Sequence, residues 1–397
     1  MRTLTFTTLF PNAIQPTHGV FVETRLQRLV RSGKVATRVM APIPWFPFKA
    51  PMFGTYARYA AVPTEETRGG LQVVHPRYVV IPRFGTNLSP RLLFHAARRE
   101  LTRMIAAGFD FDLIDAHYFY PDGVAAVWLG RHFGKPVVVT GRGSDLTFIP
   151  RLPTPRRLIG EAAQAADGLI TVCAALRDPL VELGVPGERI TVLRNGVDLE
   201  FFRPLDRDEQ RRAWGLSRPT VLSIGNLVEL KGHDLVIRAV ASMPGVDLVI
   251  AGDGPEEGRL RALAAELGVG DRVRFLGRRP QSDLPGLYNA ADVMILASSR
   301  EGWANVLLES MACGTSVVAS AVWGTPEVVA APEAGELVPE RTPEAFAAAL
   351  RRALAQPPDR AATRRYAEGF SWDDTTAGQI RLFEEILQRR SGASGHV

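Results

Sequence analysis

The sequence has few cysteines and no long apolar run. Its 397 residues include only Cys173 and Cys313, which predicts reduced thiols in a cytoplasmic protein rather than a disulfide-stabilised one. No uninterrupted apolar stretch approaches the about 18 residues of a membrane-spanning helix. The opening residues, MRTLTFTTLFPN, lack the basic start and the long apolar stretch of a signal peptide. They predict a first strand instead.

Several catalytic motifs are also missing. The sequence has neither a GK[ST] phosphate loop nor a G-x-S-x-G elbow, and G-x-G-x-x-G does not follow the first strand of either half. These absences argue against a P-loop nucleotidase, an α/β-hydrolase and a nicotinamide enzyme. The acidic triplets DFD at 110–112 and DRD at 206–208 superficially match a metal-binding aspartate pair. Both fall in predicted loops away from phosphate-binding turns, so we expect no metal site and no cofactor.

Positive charge is concentrated in the first half of the chain. Residues 1–204 contain 25 Lys+Arg and 16 Asp+Glu, a balance of +9, whereas residues 205–397 contain 22 and 26, a balance of −4. Only four of the 47 cationic residues are lysine, so an arginine-rich composition explains the number of arginines but not the asymmetry. The first half is therefore expected to face something anionic. Nucleic acid is not favoured, because no binding motif accompanies the charge.

Strand-like and helical patterns alternate along the chain, most regularly in the second half. The predicted strands there are Val221–Gly225, Asp247–Gly252, Arg272–Gly277, Asp292–Ser298 and Ser316–Ser320. Buried strands separated by helices predict parallel, doubly wound sheets. The first half repeats this pattern less cleanly, with predicted strands at Thr3–Phe10, Thr37–Pro42, Leu113–Tyr118, Pro136–Gly141, Gly168–Val172 and Ile190–Asn195. Turn residues at 196–206 mark the junction. Ligands of such sheets bind at the carboxyl ends of the strands, where the glycine-rich and polar stretches of this sequence fall.

The stretch REGWANVLLESMACGTSVVAS, residues 300–320, places two acids around a short apolar helix. The helix is predicted from Ala304 to Cys313. Glu301 precedes it, and Glu309 lies inside it. Backbone N–H groups at a helix start favour a phosphate, and carboxylates accept strong hydrogen bonds from sugar or ribose hydroxyls. Lys231, which precedes another helix, can meet a diphosphate as a point charge. Together these residues suit a nucleotide-sugar; the alternatives are a surface helix with solvated acids and a solvated lysine.

The stretches GNLVELKGHDLVIRA, LVIAGDGPEEGRL and VRFLGRRPQSDLPGLYNAADVMILAS surround these residues. With the E-x7-E unit from Glu301 to Glu309, they closely resemble the donor domain of family 4 retaining glycosyltransferases. The resemblance covers nearly the whole chain. The subgroup that carries RGSD and GNL..LKGHD looks like bacterial enzymes that build teichuronic-acid-type or exopolysaccharide glycans. The resemblance implies the α/β GT-B fold, with two facing Rossmann-like domains and a cleft between them. The implied acceptor domain is 1–204 joined by a C-terminal helix at 372–390, and the implied donor domain is 205–371.

The resemblance also assigns roles to individual residues. Glu309 would bind the ribose hydroxyls, Glu301 the hydroxyls of the transferred sugar, and Lys231 the diphosphate. Gly19 would let the loop after the first strand approach the phosphates, and Arg278 lies in the loop that usually frames the base. The other residues expected to bind the donor are Asn226, Gly302, Ala304, Asn305 and Val306.

The sequence departs from the family pattern at two positions. Asn226 stands where many members have an arginine that pairs with the lysine. Arg142 stands where many have a histidine next to the reacting carbon. We expect Asp145 to be the polar group nearest the acceptor, with Arg142 as the second choice; alternatively, the two form an ion pair that only shapes the loop. His117 and Asp122 flank another strand end, where a structural role for His117 is favoured over a catalytic one.

The predicted function is therefore that of a retaining, metal-independent glycosyltransferase. It would move a hexose-type sugar from a nucleotide diphosphate to a glycan or polyprenyl-linked acceptor during cell-surface polysaccharide synthesis. The alternatives are a nucleotide-sugar 2-epimerase and a non-catalytic nucleotide-sugar-binding protein. For a lipid-linked acceptor, we expect reversible contact with the inner face of an anionic membrane through an aromatic stretch at 43–59; alternatively, these aromatics form core or the wall of an acceptor pocket. That stretch contains Trp45, Phe46, Lys49, Phe48, Phe53, Tyr56, Arg58 and Tyr59.

Overall fold

The computed structural model describes residues 1–48, 50, 52, 54–80 and 85–394, which form two compact units. Unit 1 comprises Met1–Arg194 and Asp373–Val397, and unit 2 comprises Asn195–Trp372. Each unit is built on a sheet of mostly parallel strands with helices in the connections. This is the doubly wound α/β organisation that the alternating pattern predicts.

Unit 1 contains an eight-stranded sheet in the order β10-β9-β8-β7-β1-β2-β5-β4 and a separate two-stranded ribbon of β3 and β6. All described pairs are parallel except β4 with β5. Its strands are β1 (Arg2–Phe6), β2 (Ala36–Met40), β3 (Ile43–Pro44), β4 (Glu65–Arg68), β5 (Leu71–Val74), β6 (Arg77–Tyr78), β7 (Leu113–His117), β8 (Val137–Gly141), β9 (Gly168–Thr171) and β10 (Ile190–Val192). Its first seven helices are α1 (Val20–Arg31), α2 (Thr55–Ala61), α3 (Ser89–Ala106), α4 (Val124–Phe133), α5 (Ser144–Thr147), α6 (Pro153–Ala165) and α7 (Arg177–Val181). Strands β7, β8 and β9 are buried throughout, as expected of apolar runs covered on both faces.

Unit 2 contains a six-stranded parallel sheet in the order β13-β12-β11-β14-β15-β16. Its strands are β11 (Thr220–Ile224), β12 (Asp247–Ala251), β13 (Val273–Phe275), β14 (Val293–Leu296), β15 (Val317–Ser320) and β16 (Gly335–Val338). Its helices are α8 (Arg207–Trp214), α9 (His233–Ala241), α10 (Glu257–Glu266), α11 (Leu284–Ala290), α12 (Asn305–Ala312), α13 (Thr325–Val328), α14 (Pro343–Ala355) and α15 (Arg360–Glu368). The apolar faces of α9, α10 and α14 cover the sheet and complete a core of its own.

The last helix, α16 (Trp372–Ser394), belongs mainly to unit 1. Its side chains Ile380, Phe383 and Ile386 are buried in the core of unit 1 together with residues of α1 and of the central strands. The helix was predicted at 372–390, so it extends slightly further than the sequence suggested. Unit 1 is therefore made from both ends of the chain.

The division between the units falls at Arg194, ten residues before the predicted boundary at 204. The segment that follows is held by the end of unit 2. Val197 N–H donates to the Phe370 carbonyl at 3.0 Å, and the Arg364 guanidinium donates to the carbonyls of Leu199 at 3.1 Å and Phe202 at 2.7 Å. The turn-rich composition that located the junction does not reveal these contacts.

Candidate functional site

In unit 2, the strand order reverses at β11. This strand lies between β12 and β14, so the chain leaves it towards one side of the sheet and later returns on the other. The loops that leave the carboxyl ends of such neighbours diverge, which creates room for a ligand. Here they are the β11 loop, residues 225–232, and the β14 loop, residues 297–304.

The β11 and β14 loops contact each other directly. Ser299 N–H donates to the Leu230 carbonyl at 2.8 Å. Gly232 has a φ of 65°, and a Cβ at this position would lie 2.3 Å from the Ala297 carbonyl oxygen. Only glycine accommodates both the backbone conformation and this approach. The contact brings Lys231 next to Glu301.

Lys231 and Glu301 form an ion pair. The Lys231 Nζ lies 2.5 Å from Glu301 Oε1, and the side chains are 22% and 11% exposed. The sequence analysis placed both residues in the donor site but did not predict that they pair. Because both retain accessible surface, a ligand that reaches one of these groups meets a partly neutralised pair rather than an isolated charge.

Glu309 lies within α12 and accepts a hydrogen bond from the Tyr288 hydroxyl at 2.9 Å. The side chain retains some solvent exposure, but desolvation by the surrounding protein raises the pKa of its carboxyl to about 7, against the lowering effect of the Tyr288 bond. Near neutral pH, this group therefore exists in both protonation states.

The remaining predicted donor residues on this side surround the start of α12. The helix begins at Asn305, one residue later than predicted, and Ala304 before it is buried. The Asn195 amide donates to Asn305 Oδ1 at 3.2 Å, which fixes that side chain at the helix start. Gly302 and Val306 flank these residues and are partly buried. The structure thus places this group in one short segment directly after Glu301.

His233 was missed by the sequence analysis. Its ring nitrogens contact Ser223 Oγ at 3.0 Å and the Asn226 carbonyl at 3.3 Å, so it fixes the turn that follows β11. Burial lowers the pKa of His233 to about 4, which keeps the ring neutral at neutral pH. The Asn226 residue itself is exposed. Arg278, predicted near the base, forms an exposed ion pair with Asp253 at 2.8 Å.

In unit 1, the carboxyl ends of β1, β7 and β8 lie side by side and carry the other predicted residues. Gly19, just before α1, has a φ of 74°, and a Cβ there would lie 2.3 Å from the Leu9 carbonyl oxygen. Asp122 is fully buried and accepts from Thr8 N–H at 2.6 Å and Thr8 Oγ1 at 2.9 Å. Burial raises the pKa of Asp122 to about 7. Its contacts support a role in holding the loop after β1.

Asp145 is also fully buried, and its oxygens are occupied by backbone donors. They accept from Gly143 N–H at 2.7 Å, Phe119 N–H at 2.8 Å and Arg142 N–H at 3.1 Å. Desolvation raises the pKa of this carboxyl against those bonds. The geometry therefore favours a positioning role for Asp145, and it leaves the Arg142 guanidinium as the better candidate to face a substrate. The predicted alternative was an ion pair between the two side chains; the contact described between them joins the Arg142 backbone N–H to Asp145.

A chain of hydrogen-bonded, buried polar side chains contacts Arg142. One Arg142 nitrogen donates to His117 Nδ1 at 2.7 Å, and His117 Nε2 lies 3.4 Å from Asp115 Oδ2. Gln379 of α16 donates to the same Asp115 oxygen at 2.9 Å and accepts from Arg25 Nε at 2.8 Å. Burial lowers the pKa of His117 to about 4, so its ring is neutral and accepts the arginine bond. The sequence analysis did not find Arg25, Asp115 or Gln379, since no local pattern joins positions this far apart.

Among the described residues, no group of three histidine, cysteine or acidic side chains is arranged to hold a metal ion. Within that same part of the chain, no helix is long and apolar enough to cross a membrane. The two acidic triplets have structural contacts: Asp110 pairs with Arg2 at 3.0 Å, and Asp206 accepts from Glu209 N–H at 2.8 Å as the cap of α8. The expectation of a metal-free reaction stays a prediction.

Comparison with known proteins identifies the family. Residues 206–370 match the model for glycosyl transferases group 1, and residues 53–201 match the model for glycosyltransferase family 4. A D-inositol 3-phosphate glycosyltransferase of Acidothermus cellulolyticus is 38% identical over 313 residues, which cover 72% of this chain and 69% of that protein. A D-inositol 3-phosphate glycosyltransferase of Catenulispora acidiphila is 32% identical over 317 residues, 73% and 76% of the two chains. The chain belongs to glycosyltransferase family 4.

Solved structures similar to this family 4 chain confirm the predicted GT-B fold. Sucrose-phosphate synthase from Thermosynechococcus elongatus matches with a TM-score of 0.79 and 21% identity, covering 98% of this chain and 99% of that one. Anabaena HepE in complex with UDP-glucose matches with a TM-score of 0.70 and 18% identity, covering 98% and 99%. At these identities, the likeness establishes the fold alone.

Family membership also decides between the predicted functions. The protein is a glycosyltransferase, and its similarity to known proteins does not favour the 2-epimerase or the non-catalytic binding protein. The predicted residues are collected in two places, one in each unit. Lys231, Glu301 and Glu309 lie in the loops and helix that follow β11 and β14. Gly19, His117, Asp122, Arg142 and Asp145 lie where β1, β7 and β8 end.

Proposed function

We propose that this family 4 enzyme is a retaining, metal-independent hexosyltransferase that uses a nucleoside-diphosphate sugar as its donor substrate and needs no cofactor. The observation that carries the proposal is the Lys231–Glu301 ion pair, at the point where the strand order of unit 2 reverses, with Glu309 on the following helix. This set combines a cation for a diphosphate with two carboxylates for hydroxyl groups. The retaining outcome rests on the resemblance to retaining members of the family.

In the proposed reaction, the acceptor hydroxyl attacks the anomeric carbon on the face from which the diphosphate departs. The bond between that carbon and the diphosphate oxygen breaks, and its electron pair leaves with the phosphate. The hydroxyl proton passes to the departing phosphate oxygen. Lys231 stabilises the developing negative charge, Glu301 orients the transferred sugar, and Glu309 holds the ribose. The Arg142 guanidinium is proposed to face the reacting groups, and Asp145 is proposed as a positioning residue.

The remaining donor contacts in the proposal follow the family pattern. The backbone from Gly302 to Val306 assists at the diphosphate, Gly19 permits close approach of the loop after β1, and Arg278 lies near the base. Asn226 contributes no charge, so Lys231 acts without the arginine that many family members carry beside it.

The proposed acceptor is a glycan or polyprenyl-linked saccharide in cell-surface polysaccharide synthesis, with the enzyme at the inner face of the cytoplasmic membrane. The buried thiols of Cys173 and Cys313, which form no disulfide, are compatible with a reducing compartment. The names of the relatives add a second acceptor. Because proteins that are 32–38% identical are D-inositol 3-phosphate glycosyltransferases, inositol 3-phosphate belongs among the acceptors to be tested.

A two-step experiment tests this proposal. A thermal-shift screen of UDP-, GDP- and ADP-sugars first selects the donor, since a ligand stabilises the folded state by RT ln(1 + [L]/Kd). The selected donor is then incubated with short polyprenyl-linked saccharides or inositol 3-phosphate in the presence of EDTA. NMR of the first product should show the anomeric configuration of the donor. An inverted product, or activity restored only by Mg²⁺ or Mn²⁺, contradicts the proposal, and a new epimer formed from donor alone indicates the epimerase.

A further inference from the structure

Unit 1 exposes a cluster of large apolar side chains, which we call the aromatic surface. Trp45 is 52% exposed, Phe48 56%, Met52 85%, Tyr56 36% and Val79 51%. Most exposed apolar residues occur singly in folded proteins, so several in one short segment indicate an interaction site. Lys49 and Phe53 of the predicted aromatic stretch lie outside the described residues.

The backbone holds these side chains together. The ribbon of β3 and β6 pairs Pro44 with Tyr78, and Trp45 N–H donates to the Tyr78 carbonyl at 2.7 Å, so Trp45 lies beside Val79. The ring of Phe46 lies 6.0 Å from that of Phe48 and 5.1 Å from that of Tyr56. The half-buried Phe46 therefore joins the loop to α2.

The base of the aromatic surface is fixed by Arg77. Its guanidinium donates to the Tyr59 carbonyl at 2.8 Å and to the Val62 carbonyl. This arginine thus ties the end of α2 to β6. Tyr59 is half-buried and stacks edge-on against Tyr56 at 6.3 Å. The polar contacts lie beneath the surface, and the apolar groups point outwards.

The segments that carry the aromatic surface are basic in sequence. Residues 43–59 contain Lys49 and Arg58 and no acid, and residues 77–80 contain Arg77 and no acid. The next acids along the chain, Glu65 and Glu66, have partners: Glu65 pairs with Arg103 at 2.8 Å, and Glu66 contacts His75 at 2.8 Å. Arg58 is exposed on α2, between the two tyrosines. Trp, Tyr and Phe beside arginine, without acids, are the side chains that bind the interface of an anionic bilayer.

We propose that the aromatic surface is a docking site for an anionic lipid bilayer. Trp45, Phe48, Met52 and Tyr56 enter the headgroup region, and the surrounding cations are attracted to the lipid phosphates. The proposal deepens the proposed function, because it names the surface on which a lipid-linked acceptor would be presented. Anionic lipid is the single occupant proposed; a protein partner or a second copy of the chain is an outcome of the test.

The test is co-sedimentation of the full chain with vesicles of phosphatidylcholine alone or mixed with phosphatidylglycerol. Binding should require phosphatidylglycerol and should weaken as salt shortens the Debye length. Because a cation near such a surface contributes about 1 kcal/mol, Arg58→Gln should lower the partition coefficient roughly fivefold. Trp45→Ser combined with Phe48→Ser should lower it at least about tenfold, since both apolar anchors are lost.

Matched variants separate this surface from non-specific effects. Phe201→Ser removes an aromatic that is 41% exposed in unit 2, and Arg238→Gln removes an exposed cation of α9; both should leave sedimentation unchanged. Each variant must keep the wild-type Tm and UDP-glucose thermal shift. Equal binding to neutral vesicles, binding to neither, or equal losses in the matched variants would overturn the proposal. So would a wild-type oligomer that dissociates in the Trp45 and Phe48 double variant, because it assigns the surface to a second copy.

The vesicle-binding experiment does not depend on catalysis. Release of the nucleoside diphosphate from the donor selected by the thermal-shift screen, measured in vesicle-free solution, reports on the proposed reaction and should be unchanged in the double variant. If release is absent but vesicle binding follows the expected pattern, the proposed function fails and the docking surface stands. If release is normal but binding fails, the docking surface is refuted and the reaction stands.

Discussion

Replacing Glu301 with glutamine tests how the ion pair with Lys231 is used. The glutamine oxygen can still accept a hydrogen bond from the ammonium, but the carboxylate charge is lost. The hydrogen bond from the ammonium to the glutamine oxygen remains charge-assisted, and the opposite charge of a partly exposed ion pair adds up to about 1 kcal/mol. The substitution should therefore release at most about 1 kcal/mol of the attraction that holds the Lys231 Nζ at 2.5 Å.

The Lys231 ammonium, which is then held less strongly, can attract a diphosphate more strongly. We expect Glu301→Gln to bind free UDP as well as the wild type or up to about fivefold more tightly, since 1.4 kcal/mol corresponds to a factor of ten. Turnover of the sugar donor should fall, because the hydroxyl groups of the transferred sugar lose a charged acceptor. Binding and catalysis should thus change in opposite directions.

Isothermal titration with UDP and a coupled assay of UDP release measure the two effects. Lys231→Ala is the matched control, since it removes the cation and should weaken UDP binding. A loss of UDP affinity in Glu301→Gln as large as that in Lys231→Ala would refute the reasoning. It would mean that Glu301 contributes to nucleotide binding mainly by holding Lys231 in place.

Further predictions concern the same residues. Lys231→Ala should reduce kcat by about 10²–10³, because the departing diphosphate loses its cation, whereas EDTA should leave steady-state turnover unchanged. Since the pKa of Glu309 is about 7, UDP affinity should rise with pH from 6 to 8 as the carboxylate forms, and Glu309→Gln should retain only the titration of the nucleotide itself. The raised pKa of Glu309 also contributes a loss of stability in the unliganded protein as pH rises from about 4.5 to 7. Urea unfolding should find this loss smaller in Glu309→Gln, with the part due to the raised pKa of Asp122 remaining. Asp145→Asn should lower the Tm by several degrees, because an amide N–H faces backbone donors, and Arg142→His should retain more turnover than Arg142→Ala.

Local sequence patterns were sufficient to predict the central strands of both sheets. The predicted strands at Leu113–Tyr118 and Pro136–Gly141 agree with β7 and β8 to within one residue, because continuous apolar runs between turn residues leave little freedom. The strand predicted from Thr3 to Phe10 ends at Phe6 instead. Asp122, more than 100 residues away, binds the Thr8 N–H and redirects the chain. A tertiary hydrogen bond of this kind leaves no local signal.

The candidate site shows the same distinction. The E-x7-E spacing and the turn before Lys231 could be recognised because helix periodicity and strand ends are local. The ion pair between Lys231 and Glu301 could not, since it depends on the contact of Gly232 with Ala297 across the sheet. The hydrogen bonds from backbone N–H groups to Asp145 could not be predicted either, because the sequence identifies the carboxyl group but not the direction in which it points.

The path of α16 has a consequence for how the protein is made. As the chain leaves the ribosome, residues 1–194 emerge before unit 2, but the core of unit 1 lacks Ile380, Phe383 and Ile386 until α16 has been synthesised. Unit 2 is one uninterrupted segment and has all its contacts earlier. The half that is synthesised first is thus the last that can be completed, and its open core is exposed to chaperones and proteases in the interval. The same arrangement makes Asn195–Trp372 one continuous segment, so the proposed donor-binding residues of this segment can be exchanged between relatives by a single replacement.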